Sequence, residues 1–206
     1  MKVLKFGGTS VGSPQRMQDV SKLITEDGEV KIVVLSAMSG TTNSLVEISG
    51  YLYKKNPEGA NTIINQLEQK YVEHINALYR TEEVKRKTLE FLHEEFDYLR
   101  SFTKVHFTSF EEKVILAQGE IISTNMVTNY LQECGIKAFL VNALDIIRTD
   151  KNAEPDMNYI KEKITKMLEN NAGYQIYVTQ GTICRNAYGE IDNLLRGGRD
   201  YSACLI

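Results

Sequence analysis

Short runs rich in β-branched residues stand at residues 3 to 6, 30 to 36, 137 to 141 and 175 to 179, and the segments between them carry apolar residues at helical spacing. Strands that alternate with helices predict an α/β fold, with a parallel sheet covered by helices. Just after the first run, Ser13 stands where it can cap a helix with Pro14 in the first position, and Met17, Val20, Leu23 and Ile24 form its expected apolar face. A strand should therefore feed a glycine loop and then a helix.

Residues 61 to 100 are charged and amphipathic. Ile64, Leu67, Tyr71, Ile75 and Leu78 are followed by Val84, Leu89, Leu92, Phe96 and Leu99, which predicts a helical hairpin turning near Arg80 and Thr81. Another helix is expected from about Phe110 to Cys134, with Gly135 at its stop. Residues 183 to 195 place Asn186, Gly189 and Asn193 between apolar positions, the pattern of a hairpin or a long loop. Asp200 is a candidate cap for a last helix starting at Tyr201. Six residues make a marginal helix, so the expectation is one domain over residues 1 to 206, truncated at its C-terminus and cut from a longer polypeptide.

Charge and composition narrow the function classes. Across 206 residues, 24 basic and 27 acidic side chains give a formal net charge of −3, which offers no field to attract nucleic acid or an anionic membrane. No apolar run approaches the roughly 20 residues that span a bilayer. Cys134, Cys184 and Cys204 are odd in number and far apart, which argues against a disulfide framework and against metal-ligand pairs, and fits a cytoplasmic setting. No metal site is expected from side chains alone. His74, His93 and His106 are expected to be structural or solvated.

Four clusters can carry chemistry, each with a plainer reading beside it. Lys5, Gly7, Gly8, Thr9 and Ser10 follow the first strand, where backbone N–H groups can close on a phosphate and Lys5 adds charge; a tight turn with a solvated lysine fits equally. Residues 36 to 43, reading SAMSGTTN, offer small hydroxyl groups at a strand end, where α/β folds bind ligands, while Thr42 can instead cap a helix. Gly119 and Glu120 interrupt an apolar helix. The glycine costs about 1 kcal/mol relative to alanine and marks a close approach by a ligand or another backbone, and Glu120 is either an ammonium partner or a solvated side chain. Arg196, Gly197, Gly198 and Asp200 combine an arginine suited to a carboxylate with glycines before a helix, and the same set fits a structural turn.

Taken in order, KFGGTSV at 5 to 11, SAMSGTTN at 36 to 43, QGE at 118 to 120, RTD at 148 to 150, TQG at 179 to 181 and RGG-D-Y-S-A at 196 to 203 resemble the aspartate kinases, over the whole chain. The resemblance implies the amino-acid kinase fold, a three-layer αβα sandwich with a mainly parallel central sheet. It implies transfer of the γ-phosphoryl group of Mg-ATP to the β-carboxylate of L-aspartate, the first step of lysine, threonine and methionine biosynthesis. By the same resemblance, Lys5 with Gly7, Gly8, Thr9 and Ser10 would hold ATP phosphates, while Thr42, Glu120, Arg196, Gly197 and Gly198 would contact aspartate. Arg196 would take its α-carboxylate, and Asp200 would position Lys5 and the substrate. ATP and Mg2+ are the cofactors so implied, and a homo-oligomer is the assembly.

In this family an adenine-binding part and regulatory ACT domains follow, and some members continue into homoserine dehydrogenase. The 206-residue chain alone is therefore expected to be inactive. Thr182 stands where the family usually has phenylalanine, and Arg199 where it has serine. Two other readings compete: an amino-acid kinase acting on glutamate or carbamate, and a non-catalytic module that keeps the fold.

Overall fold

The computed structural model describes residues 1–194 and 198–206, without the side chains of residues 198–201. Four parallel strands form the central sheet: β1 (Lys2–Phe6), β2 (Lys31–Leu35), β3 (Ala138–Val141) and β4 (Ile176–Gln180), in the spatial order β1-β2-β4-β3. Register across the sheet aligns Lys5 with Val34, Val34 with Thr179, and Thr179 with Val141. Side chains in one such row point to the same face, so Lys5 and Thr179 share a face.

Helices cover both sides, giving three layers. On one side, Val33, Leu35, Ile176 and Val178 pack with α1 (Pro14–Thr25), α2 (Thr41–Tyr53), α3 (Pro57–Leu78), α4 (Glu82–Ser101) and α5 (Ser109–Glu133). On the other, Ile32 and Tyr177 pack with α6 (Ala143–Ile146), α7 (Met157–Asn170) and the end of α8 (Gly198–Leu205). Each fully buried Leu, Ile or Val contributes roughly 1.5–3 kcal/mol, and these two clusters are the main driving force for the layering. A short antiparallel pair, β5 (Ile183–Arg185) and β6 (Ile191–Asn193), crosses beyond the end of β4. No described helix is long and apolar enough to cross a membrane.

Local signals set several boundaries. Ser13 accepts from the Arg16 amide at 3.3 Å with Pro14 in the first helical turn. The Asn56 side chain accepts from the Gly59 amide at 2.9 Å ahead of α3, and Thr108 with Glu111 forms a reciprocal capping box ahead of α5. The helices expected over residues 61 to 100 are α3 and α4, the first beginning at Pro57 because Asn56 supplies an earlier cap.

Two sequence expectations are corrected. Leu23 is 51% exposed, since Met17, Val20 and Ile24 already fill the face of α1 that meets the core. The last helix begins at Gly198, not Tyr201, so the backbone of Asp200 lies inside α8 and is not its cap. That helix packs against β1 and β2, and the Ser202 hydroxyl donates to the Gly181 carbonyl. Tertiary packing thus sustains eight residues of helix that local sequence alone would leave marginal.

Candidate active site

The carboxyl ends of β1 and β2 carry two loops that lean on each other. After Phe6, the Gly7 carbonyl accepts the Ser10 amide at 2.9 Å and closes a tight turn. The Gly8 carbonyl accepts the Ser39 amide at 3.1 Å, which ties this turn to the loop leaving β2. A Cβ at Gly8 would stand 2.6 Å from the Ala37 carbonyl oxygen, so the close approach of the two backbones requires glycine there. Lys5 is half-buried at the end of β1, with its ammonium 4.0 Å from where a Gly7 Cβ would stand. Lys5, Gly7, Gly8, Thr9 and Ser10 are thereby gathered beside residues 36 to 43.

In the second loop, Gly40 adopts a left-handed conformation with φ 84° and serves as the N-cap of α2 without a side-chain cap bond. The reading of Thr42 as a helix cap is therefore corrected: Thr42 lies one residue inside the helix, exposed, at the same sheet edge as Lys5. Its neighbour Thr41 is buried, with its hydroxyl 2.9 Å from the Tyr71 hydroxyl of α3. Burial pushes the Tyr71 phenol well above its ordinary range, so it remains a neutral partner.

Glu120 lies in the middle of α5, 2% exposed, which corrects the reading of a solvated glutamate. Its Oε2 accepts from the Gly181 amide at 2.9 Å and from the Thr182 amide at 2.7 Å. Gln180 sits beside it: the side-chain amide donates to Thr124 Oγ1 at 2.7 Å and its carbonyl accepts from the Ala143 amide at 2.8 Å. The turn after β4 is thus gripped by α5 from one side and by Ser202 of α8 from the other. Gly119 is explained by neighbouring side chains, not by a ligand or a backbone. A Cβ there would meet the Ala37 Cβ at 2.9 Å, the Thr41 Cγ2 at 3.0 Å and the Leu45 Cδ1 at 3.3 Å.

Arg196 and Gly197 lie outside the described residues, as do the side chains of Arg199 and Asp200; Gly198 is the first residue of α8. Among the described residues no group of three or more His, Cys, Asp or Glu could hold a metal. The histidines divide as expected: His74 is tied to backbone carbonyls, His93 meets Glu68 at 2.8 Å, and His106 is exposed.

Several contacts that organise this edge were missed in the sequence, although His74 itself was expected to be structural or solvated. Arg16 Nη1 donates to the Thr9 carbonyl at 2.7 Å, Lys70 Nζ donates to the Ser39 carbonyl at 2.8 Å, and His74 Nε2 lies 3.4 Å from the Gly12 carbonyl. Ser123 Oγ donates to the Ser36 carbonyl at 2.8 Å. None of these positions has a local signal, since each acts on a loop distant in sequence or looks like an ordinary solvated helix residue.

Fold and site together define a parallel α/β domain with paired glycine loops at the carboxyl edge of its sheet. The sequence model of the amino acid kinase family matches residues 1–206, and the chain belongs to that family. It is 28% identical over 207 residues to the lysine-sensitive aspartokinase 3 of Escherichia coli, covering 99% of this chain and 45% of that protein. It is 30% identical over 207 residues to an aspartokinase of Chlamydia pneumoniae, covering 99% of this chain and 44% of that one. Its fold resembles E. coli aspartokinase III solved in complex with aspartate and ADP, with a TM-score of 0.84 and 25% identity, over 100% of this chain and 46% of that structure. The chain spans a little under half the length of these relatives.

Proposed function

We propose that this chain carries the phosphate loop and the acceptor pocket of an aspartate kinase, which transfers the γ-phosphoryl group of ATP to the β-carboxylate of L-aspartate and opens lysine, threonine and methionine biosynthesis. The observation that carries this reading is the hydrogen bond from the Ser39 amide to the Gly8 carbonyl, which seats a phosphate-type loop directly against a loop of small hydroxyl residues. The similarity to aspartokinases over 99% of the chain supports the choice of acceptor.

In this mechanism an oxygen of the aspartate β-carboxylate forms a bond to the γ-phosphorus while the bond from that phosphorus to the β,γ-bridging oxygen breaks, and ADP departs. A carboxylate is already ionised near neutral pH, so no general base is needed and the rate comes from alignment and charge neutralisation. Lys5 supplies positive charge to the transferring group, and the amides of Gly7 and Gly8 take phosphate oxygens, with Thr9 and Ser10 beside them. Thr42 and Glu120 receive the acceptor, the latter with its orientation fixed by the amides of Gly181 and Thr182. Arg196 binds the α-carboxylate with Gly197 and Gly198 beside it, and Asp200 aligns Lys5. Magnesium would enter with the nucleotide, held mainly by phosphate oxygens and water. A donor set without a cluster of three carboxylate, histidine or cysteine ligands among the described residues suits that mode. Cytoplasmic residence and a homo-oligomeric assembly complete the reading.

Thermal melting with L-aspartate and with ATP tests it. A ligand at a hundred times its dissociation constant adds about 2.7 kcal/mol, a rise of roughly 5–10 °C for a chain of this size. Aspartate should raise the melting temperature more than glutamate does. Trapping of acyl phosphate with hydroxylamine, against a Lys5→Ala control, then checks the expectation that the 206-residue chain alone does not transfer phosphate, which product above the control would overturn. Stabilisation by glutamate in place of aspartate would reassign the acceptor, and no stabilisation by either amino acid or by ATP would favour a non-catalytic module.

A further inference from the structure

The loop from Ser36 to Asn43 makes one sharp turn at Ser39 and Gly40, both exposed. The amide of Ser39 is committed to the Gly8 carbonyl, and its carbonyl accepts from Lys70 Nζ at 2.8 Å. Lys70 projects from α3, a helix fixed next door by the fully buried Tyr71, whose hydroxyl meets that of Thr41. One residue of the loop is therefore pinned at both ends, to the phosphate loop on one side and to α3 on the other. The Lys70 ammonium also lies 3.5 Å from where a Gly40 Cβ would stand, at the uncapped start of α2. Among the described residues that ammonium meets this carbonyl and no carboxylate, so its charge remains on the loop.

We propose that Lys70 is a positioning residue for the acceptor: it holds the Ser39–Gly40 turn in the conformation that presents Thr42 and the first turn of α2 to the substrate. This rests on the proposed function for the identity of the acceptor, though not for the clamp itself. Lys70 meets the carbonyl of Ser39, whereas the contact to the phosphate loop is made by the Ser39 amide. Removal of Lys70 should therefore act on acceptor affinity and loop order and leave the nucleotide side alone. Because Ser39 is exposed, water can replace the lost donor, and the fold should survive the change.

The experiment compares the chain with Lys70→Met, which keeps the length of the stem, and Lys70→Arg, which keeps a charged donor. Amide hydrogen exchange over residues 36 to 43 is measured without ligand, and L-aspartate and ATP are titrated separately by calorimetry. Lys70→Met should speed exchange of the loop amides and weaken aspartate about tenfold, the scale of one charge-assisted hydrogen bond, with ATP affinity changed less than about twofold. Lys70→Arg should restore both readouts. The proposal is overturned by loop exchange that is unchanged in Lys70→Met, or by equal weakening of both ligands that Lys70→Arg does not repair. If the unaltered chain binds no aspartate, the functional reading fails by itself, and exchange alone then decides the clamp: faster and rescued by arginine upholds it, unchanged rejects it.

Discussion

Glu120 reaches from the middle of α5 to accept the Thr182 amide at 2.7 Å, across 62 positions of sequence. The same oxygen takes the Gly181 amide, so one buried carboxylate holds the turn that follows the central strand β4. Glu120→Ala would leave two backbone donors without their acceptor and should destabilise the chain by about 2–4 kcal/mol, whereas Glu120→Gln, which keeps an acceptor oxygen, should cost about 1 kcal/mol. Urea unfolding of both variants checks the order. Equal losses would mean that packing of the side chain, not the acceptor, holds the turn.

Gly119→Ala trades a favourable helix propensity against a clash. The gain is about 1 kcal/mol, and overpacking against Ala37, Thr41 and Leu45 costs about 1–3 kcal/mol, so a net loss of up to about 2 kcal/mol is expected. Ala37 and Thr41 belong to residues 36 to 43, the proposed acceptor loop, and Leu45 follows in α2. Calorimetry should accordingly show weaker aspartate binding along with the lower midpoint.

At Gly8 the obstacle is backbone, not a flexible side chain. Gly8→Ala puts a methyl group 2.6 Å from the Ala37 carbonyl oxygen and must part the two loops. ATP affinity should fall at least about tenfold, with a stability loss of about 1–3 kcal/mol. Binding within twofold of the unaltered chain would show that this turn does not seat the phosphates.

The three thiols should separate chemically. Burial, aided by Asp192 and opposed by Lys113, pushes the Cys184 thiol up to about 12, while Cys134 and Cys204 are exposed. Thiolate is the reactive form. Mass spectrometry after iodoacetamide treatment of the folded chain at mildly alkaline pH should find Cys134 and Cys204 modified and Cys184 spared, with Cys184 reacting once urea is added.

Acid should loosen the start of α7. The Arg148 guanidinium, followed by the Tyr159 amide, holds the Asp156 carboxyl below its ordinary value. A carboxylate whose folded pKa is depressed contributes stability above the unfolded value, about 3.9 for Asp, and loses it as pH falls through the folded one. Unfolding midpoints followed from pH 6 downward should therefore decline less steeply below about pH 4 in Asp156→Asn than in the unaltered chain. Both side chains of the pair keep contact with solvent, so the difference should be small and should shrink with salt.

Much of this architecture was legible because it rests on short-range patterns. The four strand runs, Ser13 with Pro14, and the apolar stripe from Ile64 to Leu78 are each fixed by the period of side chains along one element. Glycines 7 and 8 also announced a strand-end turn, since the residue types that permit such a turn are few. Strand order was not written locally: β4 lies between β2 and β3 because pairing distant strands buries Ile176 and Val178 in one core and Tyr177 in the other.

The site divides the same way. Lys5, Thr42 and Glu120 were visible as residue types at motif positions, but their surroundings came only with the fold. Glu120 read as either an ammonium partner or a solvated side chain until the turn at Gly181 folded over it, because a glutamate's burial depends on donors 61 and 62 residues away. Gly119 read as a cost to its helix until Ala37, Thr41 and Leu45 filled the space beside it. Lys70 carried no signal at all: a lysine on a charged helix looks the same whether it meets water or a carbonyl 31 residues back, and only the packing of α3 against α2 decides which. Sequence settles what each element can be, through propensities and side-chain period that act over a few residues. Tertiary structure alone settles which polar groups meet, because hydrogen bonds of about 3 Å demand a placement that no local pattern encodes.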